Sequence, residues 1–265
     1  MEEERVWDMR VVFTGANDIT HHRAKRVREI EYQKKYELAY LEDLKTYGGE
    51  LTLENANEKL LSLERTKSLV LKLWAITQSN EAPTGLDMRE ARLMRKIAKW
   101  PHRPFSKEVL LKLNRALLVA EDVDKEILIE NPFELGEIAQ ILYAEKHPTV
   151  RLWLHFKEYL IGVVPDGITD SYVYEFKATM QKGQRYERLK EDAIRQAALY
   201  AYAFRRPNMK VQVARFRLSM YSFPLRVKDL PKPQIVEVSR PVSHQEALVI
   251  LSNFDEVFRG NDARG

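Results

Sequence analysis

Three side chains that can take part in acid–base or metal chemistry stand within twelve residues of one another in the strand-like segment 162–179, GVVPDGITDSYVYEFKAT. If residues 170–171 form a two-residue turn, Asp166 lies directly opposite Glu175 in an antiparallel hairpin. Lys177 is two residues beyond Glu175 on the same strand, so both side chains share one face. The spacing therefore predicts that two carboxylates and an ammonium group meet on one side of a sheet.

Two directly opposed carboxylates repel each other unless a cation lies between them. Mg²⁺ and Mn²⁺ prefer hard oxygen ligands of this kind. Such an ion activates a bound water and offsets the charge that builds on a phosphate under attack, and an adjacent ammonium group can assist. The alternative is a hairpin with a solvated face, because Pro-Asp-Gly is a common turn and Glu-x-Lys is common on exposed strands.

A third polar element lies in the segment 191–204, EDAIRQAALYAYAF, which has the pattern of a helix. Gln196 and Tyr200 are four residues apart and share one face of this helix. A glutamine on that face is unexpected in an apolar core because a buried amide needs hydrogen-bond partners. Tyr202 and Phe204 are expected to be ordinary core aromatics.

In their order along the chain, three motifs resemble those of the PD-(D/E)xK nuclease superfamily: Pro165-Asp166-Gly167, Glu175-Phe176-Lys177 and Gln196-x-x-x-Tyr200. The Gln-x-x-x-Tyr element is similar to that of the RecB-type branch, which includes CRISPR-associated exonucleases. The resemblance covers about residues 134–240. It implies that Asp166, Glu175 and the backbone carbonyl of Phe176 bind the metal and that Lys177 is the catalytic lysine. The Gln-x-x-x-Tyr pair would help to place the DNA strand and the active-site loop.

The chain departs from the RecB-type pattern at the metal site. These enzymes usually carry Gly-x-x-x-His, whose histidine binds the metal, and the comparable segment here is Gly136-Glu-Ile-Ala-Gln140. Glu137, or as second choice Glu134, is the expected replacement ligand. Four histidines are expected to be ordinary surface or strand residues: His21, His22, His147 and His155.

The complete absence of cysteine excludes disulfides, thiolate nucleophiles and Cys-ligated zinc. It also excludes the iron–sulfur cluster that many RecB-type relatives hold. The charged start of the sequence, MEEERVWDMR, does not have the pattern of a signal peptide. No segment approaches the roughly 18 uninterrupted apolar residues of a membrane span. A cytoplasmic protein without membrane association is therefore the expectation.

The distribution of charge favours DNA as a partner more clearly than the net charge of +4 does. Residues 182–228 contain twelve Lys or Arg but only three Asp or Glu. The stretch before the Gln/Tyr helix, MQKGQRYERLK, offers cations that could contact backbone phosphates next to the metal. These cations are Lys182, Arg185, Arg188 and Lys190. A solvated basic face is the alternative.

The order of elements predicts an α/β (α+β) fold with a restriction-endonuclease-like mixed sheet core that helices flank. Residues 1–130 are expected to form a mainly helical region that caps the core, and residues 131–265 the nuclease core. Strands are expected at about 9–14, 149–164, 172–178, 210–221 and 234–240. Helices are expected at about 19–47, 54–79, 87–99, 106–120, 134–146, 186–206 and 243–259.

The function that these patterns indicate is a metal-dependent deoxyribonuclease, more readily an exonuclease on DNA ends or single strands than a sequence- or structure-specific endonuclease. A hypothesis of a different class is a non-catalytic DNA-binding protein on a degenerate nuclease fold. The residues Asp166, Glu175 and Lys177 argue against that hypothesis, and the missing metal-ligating histidine argues for it. Protein partners or a homo-oligomer are compatible with either function.

Overall fold

The computed structural model describes residues 11–56, 149–217 and 230–260, together with the short pieces 126–127, 135–136, 139–140, 143–145, 147 and 225–226. The helices expected at 87–99 and 106–120 and most of the one at 54–79 lie outside these residues, and the one expected at 134–146 is described only in part. The elements in chain order are β1 (Val12–Gly15), α1 (Ala16–Thr20), α2 (Ala24–Arg28), α3 (Ile30–Tyr47), β2 (Glu126–Ile127), β3 (Leu152–Phe156), β4 (Tyr159–Val163), β5 (Gly167–Ile168), β6 (Tyr172–Thr179), α4 (Gln184–Ala203), β7 (Asn208–Arg215), β8 (Leu225–Arg226), β9 (Gln234–Pro241) and α5 (His244–Gly260).

A four-stranded mixed sheet in the order β5-β6-β7-β9 carries most of the polar motifs. The neighbours β6 and β7 are parallel, and α4 forms the crossover between them, whereas the other two pairs are antiparallel. The helix packs on this sheet through small buried side chains, which allow a close approach of helix and sheet. They are Ala193, Ala197 and Ala201.

A second, three-stranded sheet has the order β1-β4-β3 and leads directly into the polar hairpin. Here β1 runs parallel to β4, and β3 is antiparallel to it. The single expected strand at 149–164 is in fact the hairpin β3–β4. It turns at Lys157, whose φ of 51° lies in the left-handed region. The chain leaves β4 at Val163 and reaches Asp166 three residues later.

The described helices flank these sheets, so the predicted mixed α/β architecture is confirmed. The single helix expected at 19–47 is divided into α1, α2 and α3. His22 takes a φ of 50° between the first two, and the extended backbone of Glu29 separates the last two. The end of α3 is at the predicted glycine, because Gly48 adopts the left-handed conformation.

Residues from both sheets and from α1, α2, α4 and α5 share one apolar core. Phe204 is fully buried in it as expected, whereas Tyr202 is only partly buried. A smaller cluster lies on the opposite face of β6 and includes Tyr174, Phe176 and Ala139. The division into regions 1–130 and 131–265 stays a prediction. No helix in the described part of the chain is long and apolar enough to cross a membrane.

Candidate active site

The hairpin of β5 and β6 has the register that the sequence predicts. Gly167 pairs with Tyr174, so the preceding residue, Asp166, is level with Glu175 on the neighbouring strand. Strand β5 is only two residues long, and β6 continues past it to Thr179. The edge of β6 is therefore free of a β5 partner at the level of Glu175 and beyond.

The carboxylate of Asp166 covers this open edge of β6. Its Oδ2 accepts a hydrogen bond of 2.9 Å from the backbone N–H of Phe176, and its Oδ1 accepts one from the Gln140 side-chain amide. The N–H and C=O of one strand residue point toward the same neighbour, so the carbonyl of Phe176 is directed to the same edge. The preceding Pro165 is fixed by a bond of 2.7 Å from the Thr149 hydroxyl to its carbonyl.

Glu175 and Lys177 form an ion pair on the face of β6 that meets α4. Glu175 is 3% exposed, and burial raises its pKa to about 8, with Lys177 opposing and Asp166 adding to this rise. Burial disfavours the charged form of Lys177, but the attraction of Glu175 and Asp166 outweighs it and raises the pKa of the lysine. The side chain of Lys177 is therefore a cation at neutral pH and lies beside Glu175.

Gln196 and Tyr200 share the face of α4 that covers these groups. Both are 4% exposed, and the Gln196 amide donates a hydrogen bond of 2.5 Å to the Tyr200 hydroxyl. Burial, and after it the nearby side chain of Glu175, raises the pKa of the Tyr200 phenol. The amide oxygen of Gln196 is buried without a hydrogen-bond partner among the described residues.

Sequence reasoning missed a pair of residues next to Lys177. Asp192 lies one turn before Gln196 on α4, and its Oδ2 is 3.1 Å from Nε2 of His21. The other ring nitrogen of this histidine lies 2.6 Å from the carbonyl oxygen of Asn17. After Glu175 and Asp166, the charge of Asp192 also contributes to the raised pKa of Lys177. The Asp192–Gln196–Tyr200 spacing of four could have identified the aspartate, but nothing in the sequence connects His21 to it.

The replacement ligands expected from sequence, Glu137 and Glu134, lie outside the described residues. His147 and His155 are not part of the site: each pairs with a glutamate, Glu145 at 3.1 Å and Glu50 at 2.6 Å respectively. These two histidines are ordinary surface or strand residues, as predicted.

The expected DNA-binding cations line the approach to α4. Lys182, Arg185 and Arg188 are all exposed. The helix begins at Gln184, two residues earlier than predicted, so both arginines lie in its first turns and not in a loop. Lys190 is also on the helix and pairs with Glu187.

The donor set fits a hard divalent cation. Within the described part of the chain, no group of three His, Asp or Glu side chains lies close enough to hold a metal. From the described residues, a metal would therefore have two carboxylates, Asp166 and Glu175, completed by neutral oxygens and water, which suits Mg²⁺ or Mn²⁺. The unpartnered oxygen of Gln196 and the raised pKa of Glu175 both indicate a place where positive charge would be stabilising.

No protein-family model and no curated protein matches this sequence. Among solved structures, the chain is similar to the crystal structure of a phage-related exonuclease from Haemophilus somnus 129PT. The identity is 15%, the match covers 71% of this chain and 88% of that chain, and the TM-score is 0.29. At this identity and TM-score the similarity carries no argument about activity, which has to be inferred from the residues of the site.

Proposed function

We propose that this chain is a metal-dependent DNA nuclease that cleaves phosphodiester bonds at the open edge of β6. The observation that carries the proposal is the meeting of Asp166, Glu175 and Lys177 beneath the Gln196–Tyr200 pair. Two carboxylates that share a site favour a bound cation, and a lysine beside them supplies a second positive charge. This combination suits attack by water on a phosphodiester, in which negative charge builds on the phosphate.

Asp166 and Glu175 would hold Mg²⁺ or Mn²⁺, with the Phe176 carbonyl directed to the same edge. A bound ion of this kind lowers the pKa of a coordinated water and offsets charge on the phosphate. Asp166 is oriented for this role because the Phe176 N–H fixes one of its oxygens. Glu175 would exchange its contact with Lys177 for the ion, since both contacts use the same carboxylate.

Lys177 would then be released to act on the substrate. Its side chain is 28% exposed, so the ammonium group can reach a water or a phosphate oxygen while the stem stays packed. The cation can orient the attacking water or stabilise the developing charge. Gln196 and Tyr200 would support the site from behind, and the unpartnered Gln196 oxygen is available as a hydrogen-bond acceptor.

The DNA substrate is supported by the exposed cations at the start of α4, which can contact phosphates next to the carboxylates without reading base sequence. Exonuclease action on ends or single strands rests on the resemblance of the Gln-x-x-x-Tyr element to the RecB-type branch.

The test is cleavage of end-labelled single- and double-stranded DNA, linear and circular, with Mg²⁺, Mn²⁺ or EDTA. Wild type is compared with Asp166→Ala and Lys177→Ala. The control is Asp170→Ala, which removes an exposed carboxylate from the turn of the same hairpin. Metal-dependent loss of linear DNA that both site variants abolish and the control retains is the expected result.

Cutting of circular DNA would replace the exonuclease with an endonuclease. Binding of DNA without cleavage under any metal would leave a DNA-binding protein on this fold. Cleavage that survives in Asp166→Ala would show that the hairpin is not the site, and the proposal would be wrong.

A further inference from the structure

The side chain of Gln140 reaches the candidate metal site from outside the hairpin. Its amide nitrogen donates to Oδ1 of Asp166, the carboxylate oxygen that the Phe176 N–H leaves free. Both carboxylate oxygens of Asp166 therefore accept a hydrogen bond, one from a strand N–H and one from a side-chain amide. The amide lies where a neutral oxygen could complete the coordination of an ion that the two carboxylates bind.

Residues on either side of Gln140 are held against β6, the strand that carries Glu175, by packing and by a hydrogen bond. The preceding residue, Ala139, is fully buried against the face of β6 opposite to α4. A few residues later the backbone N–H of Glu145 donates a bond of 2.9 Å to the Tyr174 hydroxyl. The segment is thus attached to β6 beside the site, and the contact to Asp166 is part of a built arrangement.

An amide can present either of its two ends to this position. The carboxamide carries an acceptor oxygen and a donor NH₂ on opposite sides, and a half-turn about its last torsion exchanges them. Toward a bare carboxylate the NH₂ is favoured, as observed for Asp166. Toward a cation that Asp166 shares, the oxygen is favoured, because amide oxygens are ligands of hard divalent ions.

In the described part of the chain, the atoms near the two carboxylates that are available to bind a metal are all oxygens. The imidazole with electrostatic contact to the site, His21, has both ring nitrogens engaged, one with Asn17 and one with Asp192. No cluster of three acidic or histidine side chains is present among the described residues. Among the described residues, the available ligand set is therefore two carboxylates plus neutral oxygens.

We propose that Gln140 is a neutral oxygen ligand of the metal, and that the resulting all-oxygen set makes the site select Mg²⁺ and Mn²⁺ over softer ions such as Ni²⁺. This inference rests on the proposed function, since it assumes that Asp166 and Glu175 bind a divalent ion. Carboxylate, carbonyl and water oxygens suit Mg²⁺ and Mn²⁺, whereas an imidazole nitrogen suits Ni²⁺ and Zn²⁺. The identity of residue 140 would thus set the metal preference.

The test measures metal binding directly, by titration calorimetry of the full chain without DNA, with Mg²⁺, Mn²⁺ and Ni²⁺ each alone. Wild type is compared with Gln140→His, Gln140→Ala and Asp166→Ala. The matched control is Gln234→His, the same exchange on exposed β9 at the opposite edge of the sheet. Gln140 is only partly buried, and a thermal melt of each variant checks that it folds.

The expected result is that Gln140→His raises the affinity for Ni²⁺ relative to Mg²⁺ on the order of tenfold or more, while Gln234→His changes nothing. Gln140→Ala should weaken Mg²⁺ binding about tenfold and leave the preference among ions unchanged. If folded Gln140→His keeps the wild-type ratio of Ni²⁺ to Mg²⁺ affinity, the amide only orients Asp166 and this inference is overturned. If wild type binds no ion more tightly than Asp166→Ala does, the proposed function itself fails.

Discussion

Removing the charge of Glu175 should change how the stability of the metal-free protein depends on pH. Burial raises the pKa of this group from 4.5 to about 8 in the native state. Between these values the unfolded chain has released the proton and the native protein still holds it, so stability falls as the pH rises. The loss from this one group amounts to about 3–4 kcal/mol between pH 5 and pH 8.

Glu175→Gln should escape this loss because an amide does not titrate. Urea denaturation in EDTA at pH 5 and pH 8 measures the free energy of unfolding of both proteins. Lys177 stays charged at either pH, so its own titration does not contribute to the difference between the two values. The variant should therefore gain about 3–4 kcal/mol relative to wild type on going from pH 5 to pH 8.

The control for this experiment is Glu37→Gln, the same exchange at an exposed position of α3, which should show no such gain. Saturating Mg²⁺ should reduce the gain in free energy of unfolding that Glu175→Gln shows over wild type at pH 8. The reason is that a bound cation favours the ionised form of Glu175 in the wild type. A constant difference between wild type and Glu175→Gln at the two pH values would refute the reasoning. It would mean that Lys177 offsets the burial completely.

Three further outcomes follow from the geometry. Changing the three exposed cations before and at the start of α4 to alanine (Lys182, Arg185 and Arg188) should lower the salt slope of DNA binding by about 2–3, measured by fluorescence anisotropy. Gly167→Ala should lower the free energy of unfolding, measured by urea denaturation, by about 1–3 kcal/mol, because the new Cβ would lie 2.7 Å from Cβ of His147. Gly136→Ala is the control, because nothing lies within 4 Å of the Cβ that it would add. Asp192→Asn should lower kcat on the order of tenfold in steady-state cleavage assays and leave KM near the wild-type value, because it acts through Lys177; a change in KM alone would contradict that role.

Local patterns in the sequence predicted the elements of the core well but not their divisions. The strands β6, β7 and β9 and the helices α4 and α5 follow from alternation and helical periodicity, although β7 ends at Arg215 and not at about residue 221. The division of residues 16–47 into three helices depends on single backbone conformations, at His22 and Glu29. A histidine with a positive φ has no signature in the amino-acid composition. Periodicity alone therefore predicts one continuous helix across it.

The candidate site was predictable as far as it is built from one hairpin and one helix. The register that brings Asp166 level with Glu175 follows from the length of the turn, and the spacing of four follows from the pitch of α4. The contact of Gln140 with Asp166 could not be predicted in this way, because it joins residues 26 positions apart that share no hairpin or helix. The acidic replacements expected for the absent histidine, Glu137 and Glu134, lie outside the described residues, so that expectation stays a prediction.

The strand β1 explains how His21 comes to lie near Asp192, the α4 residue whose charge acts on Lys177. Because β1 is parallel to β4, both end at the same edge of their sheet, the edge from which the chain continues to Asp166. The short helix α1 starts there and packs against α4, and this brings His21 to Asp192. The element α1 thus holds Asp192, whose carboxylate adds to the negative charge around Lys177, and it joins the hairpin and α4 as a third element at the site.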